Sequence, residues 1–181
     1  LEGDGYWEAL KKGLAHGEGF GEYPLPEGVT CELRPYQLRG YHWLRFLEEH
    51  GLGGVLADDM GLGKTVQAIV AALLLRQFDG AGKALIVCPA SLKYQWRREI
   101  ERACGESACV MTGPRAARLQ RYTDWRGGFL IVNYELVLRD LDAIKSAGPE
   151  LVILDEAQRI KNWETRTARA VKQLPGKHAF V

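Results

Sequence analysis

An α/β fold with a mostly parallel sheet, helices on both faces, is what the residue pattern implies. Short runs that are apolar throughout alternate with stretches of helical spacing, the mark of strands buried on both sides and joined by crossover helices. One apolar run leads into a glycine-rich loop that ends in Lys64-Thr65 and opens a helix. Another ends in Asp155-Glu156, which sets a carboxylate pair at the C-terminal end of a strand, where open α/β sheets bind ligands.

Length and composition bound the answer. A chain of 181 residues fits one domain that buries ~70% of its unfolded surface. With 24 Lys+Arg against 23 Asp+Glu, neither a uniformly basic nucleic-acid coat nor an acidic tail protein is expected. A hydrophobic content of 46% argues against disorder. The longest apolar run, Ala68 to Leu75, is far short of the ~20 residues of a spanning helix, so no membrane partner is expected. Cys31, Cys88, Cys104 and Cys109 show no C-x-x-C spacing, against a zinc site or disulfide framework. They read as ordinary thiols of an intracellular protein. No signal-peptide pattern is present, and Leu1 in place of Met suggests a processed or excised fragment.

Residues 1–30 form an N-terminal extension rich in glycine and acids, whose only Lys or Arg residues are Lys11 and Lys12. Trp7, Leu10 and Leu14 suit one face of a short helix, and Gly17 to Gly28 reads as loop. Residues 31–181 make up the domain. Its first helix is 36–49, with Leu38, Tyr41, Leu44 and Leu47 at helical spacing and Pro35 near the start. Strands are expected at 53–57, 84–88, 108–111, 129–133, 150–154 and 178–181. The helices between them are expected at 64–78, 91–103, 114–124, 135–146 and 163–174.

The loop Asp58-Asp59-Met60-Gly61-Leu62-Gly63-Lys64-Thr65 has the setting of a phosphate-binding loop, after a buried strand and before a helix. Gly61 and Gly63 permit a tight turn whose N–H groups point at phosphate oxygens. The helix N-terminus adds its positive dipole end. Lys64 supplies a charge to the β- and γ-phosphates, and Thr65 a hydroxyl to Mg²⁺. Asp58 stands where the strict pattern has glycine. Asp155 suits a Mg²⁺ held through its water shell, and Glu156 a general base for the attacking water. Taken alone, Asp155 is equally a helix N-cap. The pairing with the phosphate loop favours chemistry.

These blocks together spell a family. Asp155-Glu156-Ala157-Gln158 followed by Arg159-Ile160-Lys161-Asn162 resembles the D-E-x-x box of helicase superfamily 2, and within it the SWI/SNF-type helicase-like ATPases, with Gln158 in place of the usual His (a DEAQ box). Leu33-Arg34-Pro35-Tyr36-Gln37 with Gly40 and Trp43-Leu44 is similar to the family's opening block. Ala57–Gln67 is similar to its phosphate loop, Asp58 included. Ile86–Leu92 with Trp96 and Glu99 resembles motif Ia, and Ile131–Glu135 resembles motif Ib.

The resemblance implies the N-terminal RecA-like lobe of a double-stranded-DNA translocase, a DNA-dependent ATPase using ATP and Mg²⁺. Gln37 then reads the adenine edge; on spacing alone it is a solvent-facing glutamine. Asp59, Met60, Gly61, Leu62, Gly63, Lys64 and Thr65 bind nucleotide, Thr65 and Asp155 serve the Mg²⁺, and Gln158 couples hydrolysis to DNA grip. DNA contacts are expected at Ser91, Lys93, Asn133, Tyr134, Arg159 and Lys161, in loops after strands, as sequence-blind contacts to phosphate. Basic stretches at 93–126 and 158–177 read mostly as solvated helix faces. Trp96, Trp125 and Trp163 read as core or interface residues.

The chain stops before motif III and lacks the second RecA-like lobe, which implies a truncated fragment nearly inactive by itself. Other implied partners are a chromatin, repair or transcription complex. The location is the cytoplasm and nucleoid of a prokaryote or the nucleus of a eukaryote; compact spacing favours the former. Two readings stand beside this one: another superfamily 2 helicase or translocase, or a docking module with a vestigial nucleotide site.

Overall fold

The computed structural model describes residues 22–50, 64–160, 162 and 164–180, with backbone only at 47–49, 64 and 159. The strand expected at 53–57, residues Asp58 to Gly63, the helix expected around Trp7 to Leu14, Lys161 and Trp163 lie outside the described residues.

Helix α1 (Pro35–Glu49) and helix α2 (Lys64–Asp79) precede strand β1 (Lys83–Cys88). A 3-10 turn, Ala90–Leu92, leads into α3 (Lys93–Cys104). Strand β2 (Cys109–Val110), helix α4 (Arg115–Asp124), strand β3 (Gly128–Asn133) and helix α5 (Tyr134–Ala147) follow. The described chain closes with β4 (Leu151–Leu154), a 3-10 turn at Ala157–Ile160, α6 (Arg166–Val171) and β5 (His178–Phe180).

The strands form one sheet in the order β2-β3-β1-β4-β5, with every pair parallel. The three central strands, β3, β1 and β4, are apolar on both faces because each face has its own helix layer, while the edge strands β2 and β5 are partly exposed. Ile86 and Cys88 of β1 join Ile69, Leu73, Trp96 and Ile100 from α2 and α3. Leu85 and Val87, one residue out of phase, join Tyr122, Val137, Ile144 and Ala170 from α4, α5 and α6. The period of two along the strand thus assigns its side chains to opposite layers. Helix α1 packs on α2 through Tyr41, Val66, Val70 and Leu74.

Two expected helices differ in extent. The stretch 91–103 begins as a 3-10 turn before α3. The helix expected at 163–174 is regular only over α6, because the Thr165 side chain caps it by accepting from the Ala168 N–H at 3.2 Å, and Pro175-Gly176 follow shortly after it. Residues 22–30, grouped by composition with the extension, lie against the domain. Tyr41 donates its hydroxyl to the Pro24 carbonyl at 2.6 Å, and Thr30 N–H donates to the Ala103 carbonyl at 2.8 Å.

Beneath α4 and α5 lies a buried charge pair. Arg118 makes a two-pronged contact with Asp140, Nε to Oδ2 at 2.6 Å and Nη2 to Oδ1 at 2.8 Å, and also donates to the Gly113 carbonyl. Asp140 has non-helical φ/ψ (−117°, 18°) inside α5, a kink at the pair. Arg118, counted above among the basic stretch, is therefore consumed internally. Removing one partner strands a charge in the core. Asp140→Ala should lower stability by about 3 kcal/mol in urea unfolding. The double change Arg118→Met with Asp140→Leu should recover much of that loss.

Candidate nucleotide site

The parallel register brings three strand ends to one edge. Cys88 at the end of β1 pairs with Asn133 at the end of β3, and Val87 pairs with Leu154 at the end of β4. The Asp155 N–H donates to the Val87 carbonyl at 2.9 Å, extending the ladder by one rung. Asp155 is thereby fixed at the carboxyl edge of the sheet. Glu156 follows with φ +57°, a left-handed conformation that costs a non-glycine residue about 1–2 kcal/mol. This turn takes the chain sharply off the strand and into the 3-10 turn that carries Gln158.

A cleft of ≈ 590 Å³ opens along this edge. Gln37, Thr65, Asp155, Glu156 and Gln158 all line it, from α1, the start of α2 and the turn after β4. Five residues expected to act together, drawn from three separate stretches of sequence, thus share one cavity. Gln37 is only 6% exposed, so it is not a solvent-facing glutamine. Its Oε1 accepts from the Arg34 N–H at 2.9 Å, reaching back from the first turn to the residue before the helix. A side-chain amide carries both an acceptor and donors, the combination that reading a base edge needs. The Gln158 amide donates to the Glu156 carboxylate.

Asp155 is held on two sides. The Trp96 indole Nε1–H donates to its Oδ2 at 2.8 Å, and the Tyr134 hydroxyl donates to its backbone carbonyl at 2.8 Å. Below it, burial pushes the Cys88 thiol up to about 12, with the Asp155 charge adding to the effect. The oxygen donors fit a hydrated Mg²⁺. Asp155 is a carboxylate anchored at one oxygen, and the Thr65 hydroxyl belongs to the same cleft. Lys64 is the first residue of α2; Asp59 to Gly63 lie outside the described residues.

The expected DNA-facing residues divide. Ser91 is exposed in the turn after β1. Asn133, opposite Cys88 at the end of β3, donates its amide to the Glu135 carboxylate. Arg159 lies in the 3-10 turn after Asp155. Lys93 and Tyr134 depart from the expectation. Lys93 is 8% exposed and donates its Nζ to the Met111 carbonyl at 2.8 Å, and burial lowers its pKa. Tyr134 is 4% exposed, with its hydroxyl on Asp155. Each is the first residue of its helix, Lys93 after the Ala90–Leu92 turn and Tyr134 directly after β3, and both side chains turn into the fold and brace the edge from within. Trp96 and Trp125 are core, as expected. The Trp96 contact with Asp155 escaped the sequence, where only its place on a helix was visible.

A five-stranded parallel sheet with helices on both faces, its polar groups gathered at the carboxyl edge, defines the RecA-like class of α/β lobes. Residues 36–181 match the model of the SNF2-related domain, and the chain belongs to that family as the N-terminal lobe of its helicase superfamily 2 ATPase core. The Bacillus subtilis protein YwqA, whose name marks it as a candidate ATP-dependent helicase/translocase, is 35% identical over 175 residues, covering 94% of this chain and 19% of YwqA. The ISWI chromatin-remodeling complex ATPase ISW1 of Saccharomyces cerevisiae is 33% identical over 162 residues, 86% of this chain and 14% of ISW1. The Sulfolobus solfataricus SWI2/SNF2 ATPase core, solved in complex with double-stranded DNA, superposes with a TM-score of 0.72 at 31% identity, over 87% of this chain and 33% of that one. The chain spans less than a fifth of the length of these curated relatives.

The thiols provide a direct check on the site's packing. Cys109 is exposed on β2 and Cys88 is fully buried at the end of β1. Maleimide labelling of native protein at neutral pH, read by peptide mass spectrometry, should modify Cys109 rapidly and leave Cys88 unmodified until the protein is unfolded. Equal labelling of the two contradicts the packing described.

Proposed function

We propose that this chain is the nucleotide-binding lobe of a SNF2-type translocase that uses Mg²⁺-ATP hydrolysis to move on double-stranded DNA and remodel protein–DNA complexes. The observation that carries the proposal is the convergence of Gln37, Thr65, Asp155, Glu156 and Gln158 on one cleft. In this reading Gln37 holds the adenine, and Asp59 to Thr65 hold the phosphates on the N-terminus of α2. Thr65 would offer its hydroxyl to Mg²⁺ and Asp155 would hold the ion through its water shell, and the bound metal would neutralise charge on the phosphates. Glu156 takes the proton of the attacking water, and Gln158 keeps its carboxylate oriented.

The DNA track runs along the same edge, through Ser91, Asn133 and the turn that carries Arg159, and Lys161 is a further phosphate contact by its place in the sequence motif. The DNA-bound Sulfolobus relative supports a duplex partner. The family's chromatin-remodelling members support a protein–DNA complex as the target. The 181 residues supply one side of the nucleotide site, so a polypeptide of these residues alone turns over ATP negligibly.

In the intact protein, Lys64→Ala and Glu156→Gln should each reduce ATP turnover by about 10²-fold or more. Glu156→Gln should retain nucleotide binding. Turnover should rise more with duplex DNA than with single-stranded DNA or RNA. Biological activity of the intact protein that is unchanged in both variants favours a docking module. Equal stimulation by RNA favours another superfamily 2 enzyme.

A further inference from the structure

We propose that Trp96 is a positioning residue for Asp155, with Tyr134 as its counterpart on the main chain, so that the aim of the metal-side carboxylate is set by α3 and α5. This rests on the proposed role of Asp155. Trp96 is 3% exposed and packed with Ile86, Cys88 and Ile100. Its ring has no freedom to follow a moving partner. Its Nε1–H, the one polar group of the side chain, meets Oδ2 of Asp155 at 2.8 Å. Phenylalanine keeps an aromatic ring in the same apolar cluster but lacks the N–H donor and is smaller, so its packing cost has to be separated from the loss of the bond.

The bond's consequence is on Asp155. One oxygen is tied, which fixes the plane of the carboxylate and therefore the direction of the other oxygen. Tyr134 acts from the opposite layer of the sheet, where its ring packs with Val132 and Val137, and its hydroxyl holds the Asp155 carbonyl at 2.8 Å. The side chain and the main chain of one residue are thus gripped from two helices. Helix α3 begins directly after the Ala90–Leu92 turn, and α5 directly after Asn133. A displacement at the start of either helix is passed to Asp155 through one aromatic ring.

The test is a Mg²⁺ titration of fluorescent ATP-analogue binding and of ATP turnover in the intact protein, with nucleotide binding in EDTA as the metal-free reference. Trp96→Phe should raise the Mg²⁺ concentration for half-saturation about tenfold, the effect of one charge-assisted hydrogen bond, and leave binding in EDTA unchanged. Tyr134→Phe should raise it about two- to fivefold, a neutral hydrogen bond's share. A tryptophan that serves packing alone lowers binding equally with and without Mg²⁺, and that result overturns the proposal. Half-saturation within twofold of the parent protein in a folded Trp96→Phe also overturns it. If Trp96→Phe loses its cooperative melt, Tyr134→Phe decides, and an unchanged Mg²⁺ dependence there rejects the proposal. Should the parent protein itself bind nucleotide without any Mg²⁺ dependence, the metal role of Asp155 falls, and this inference with it.

Discussion

The hydrogen bond from the Asp155 N–H to the Val87 carbonyl at 2.9 Å is the last rung of the β1–β4 ladder, and the site depends on it. Strand β1 is central, paired in parallel on both sides. Its register fixes Cys88 against Asn133 and Val87 against Leu154. A slip of one residue turns each inward side chain to the other face. Both helix layers resist that slip, because Leu85 and Val87 belong to one apolar cluster and Ile86 and Cys88 to the other. Burial of the sheet on both faces thus locates a carboxylate in space. The hydrophobic core is the means by which the site is positioned.

Beyond the last rung the chain leaves regular structure within one residue. Glu156 takes up the left-handed conformation, an unfavourable geometry for a residue with a β-carbon that the surrounding contacts sustain. Those contacts are polar and come from every side: Trp96 on the carboxylate of Asp155, Tyr134 on its carbonyl, Gln158 on the carboxylate of Glu156. A similar economy governs Lys93 and Arg118. Each is a long cation turned inward and matched to an acceptor, the Met111 carbonyl in one case and Asp140 in the other. A near-neutral chain can present a basic edge only with the cations left outside such pairs, so net charge says little about where a polyanion binds.

The fold was legible in the sequence because apolar strands and amphipathic helices differ in period. The runs expected at 84–88, 129–133 and 150–154 lie within a residue of the observed strands. The site was legible where chemistry is local, as in Thr65 opening a helix and Asp155-Glu156 closing a strand. It was not legible where direction decides. That Lys93 follows a strand-end turn says nothing of whether its ammonium faces solvent or a carbonyl eighteen residues away. Nor does helical spacing show that the Trp96 indole N–H finds a carboxylate 59 residues downstream. The buried state of Gln37 follows from α1 lying on α2, a tertiary contact that the pattern of α1 alone leaves open.

The convergence of α1, α2 and the turn after β4 on a single nucleotide is tested most directly by a crystal structure of the protein with Mg²⁺ and a non-hydrolysable ATP analogue. The phosphates should rest on the N-terminus of α2, with the metal on the Thr65 hydroxyl, its water shell reaching Asp155, and the adenine against Gln37. A nucleotide seated away from the carboxyl edge of the sheet, or a metal whose shell does not reach Asp155, contradicts the reading.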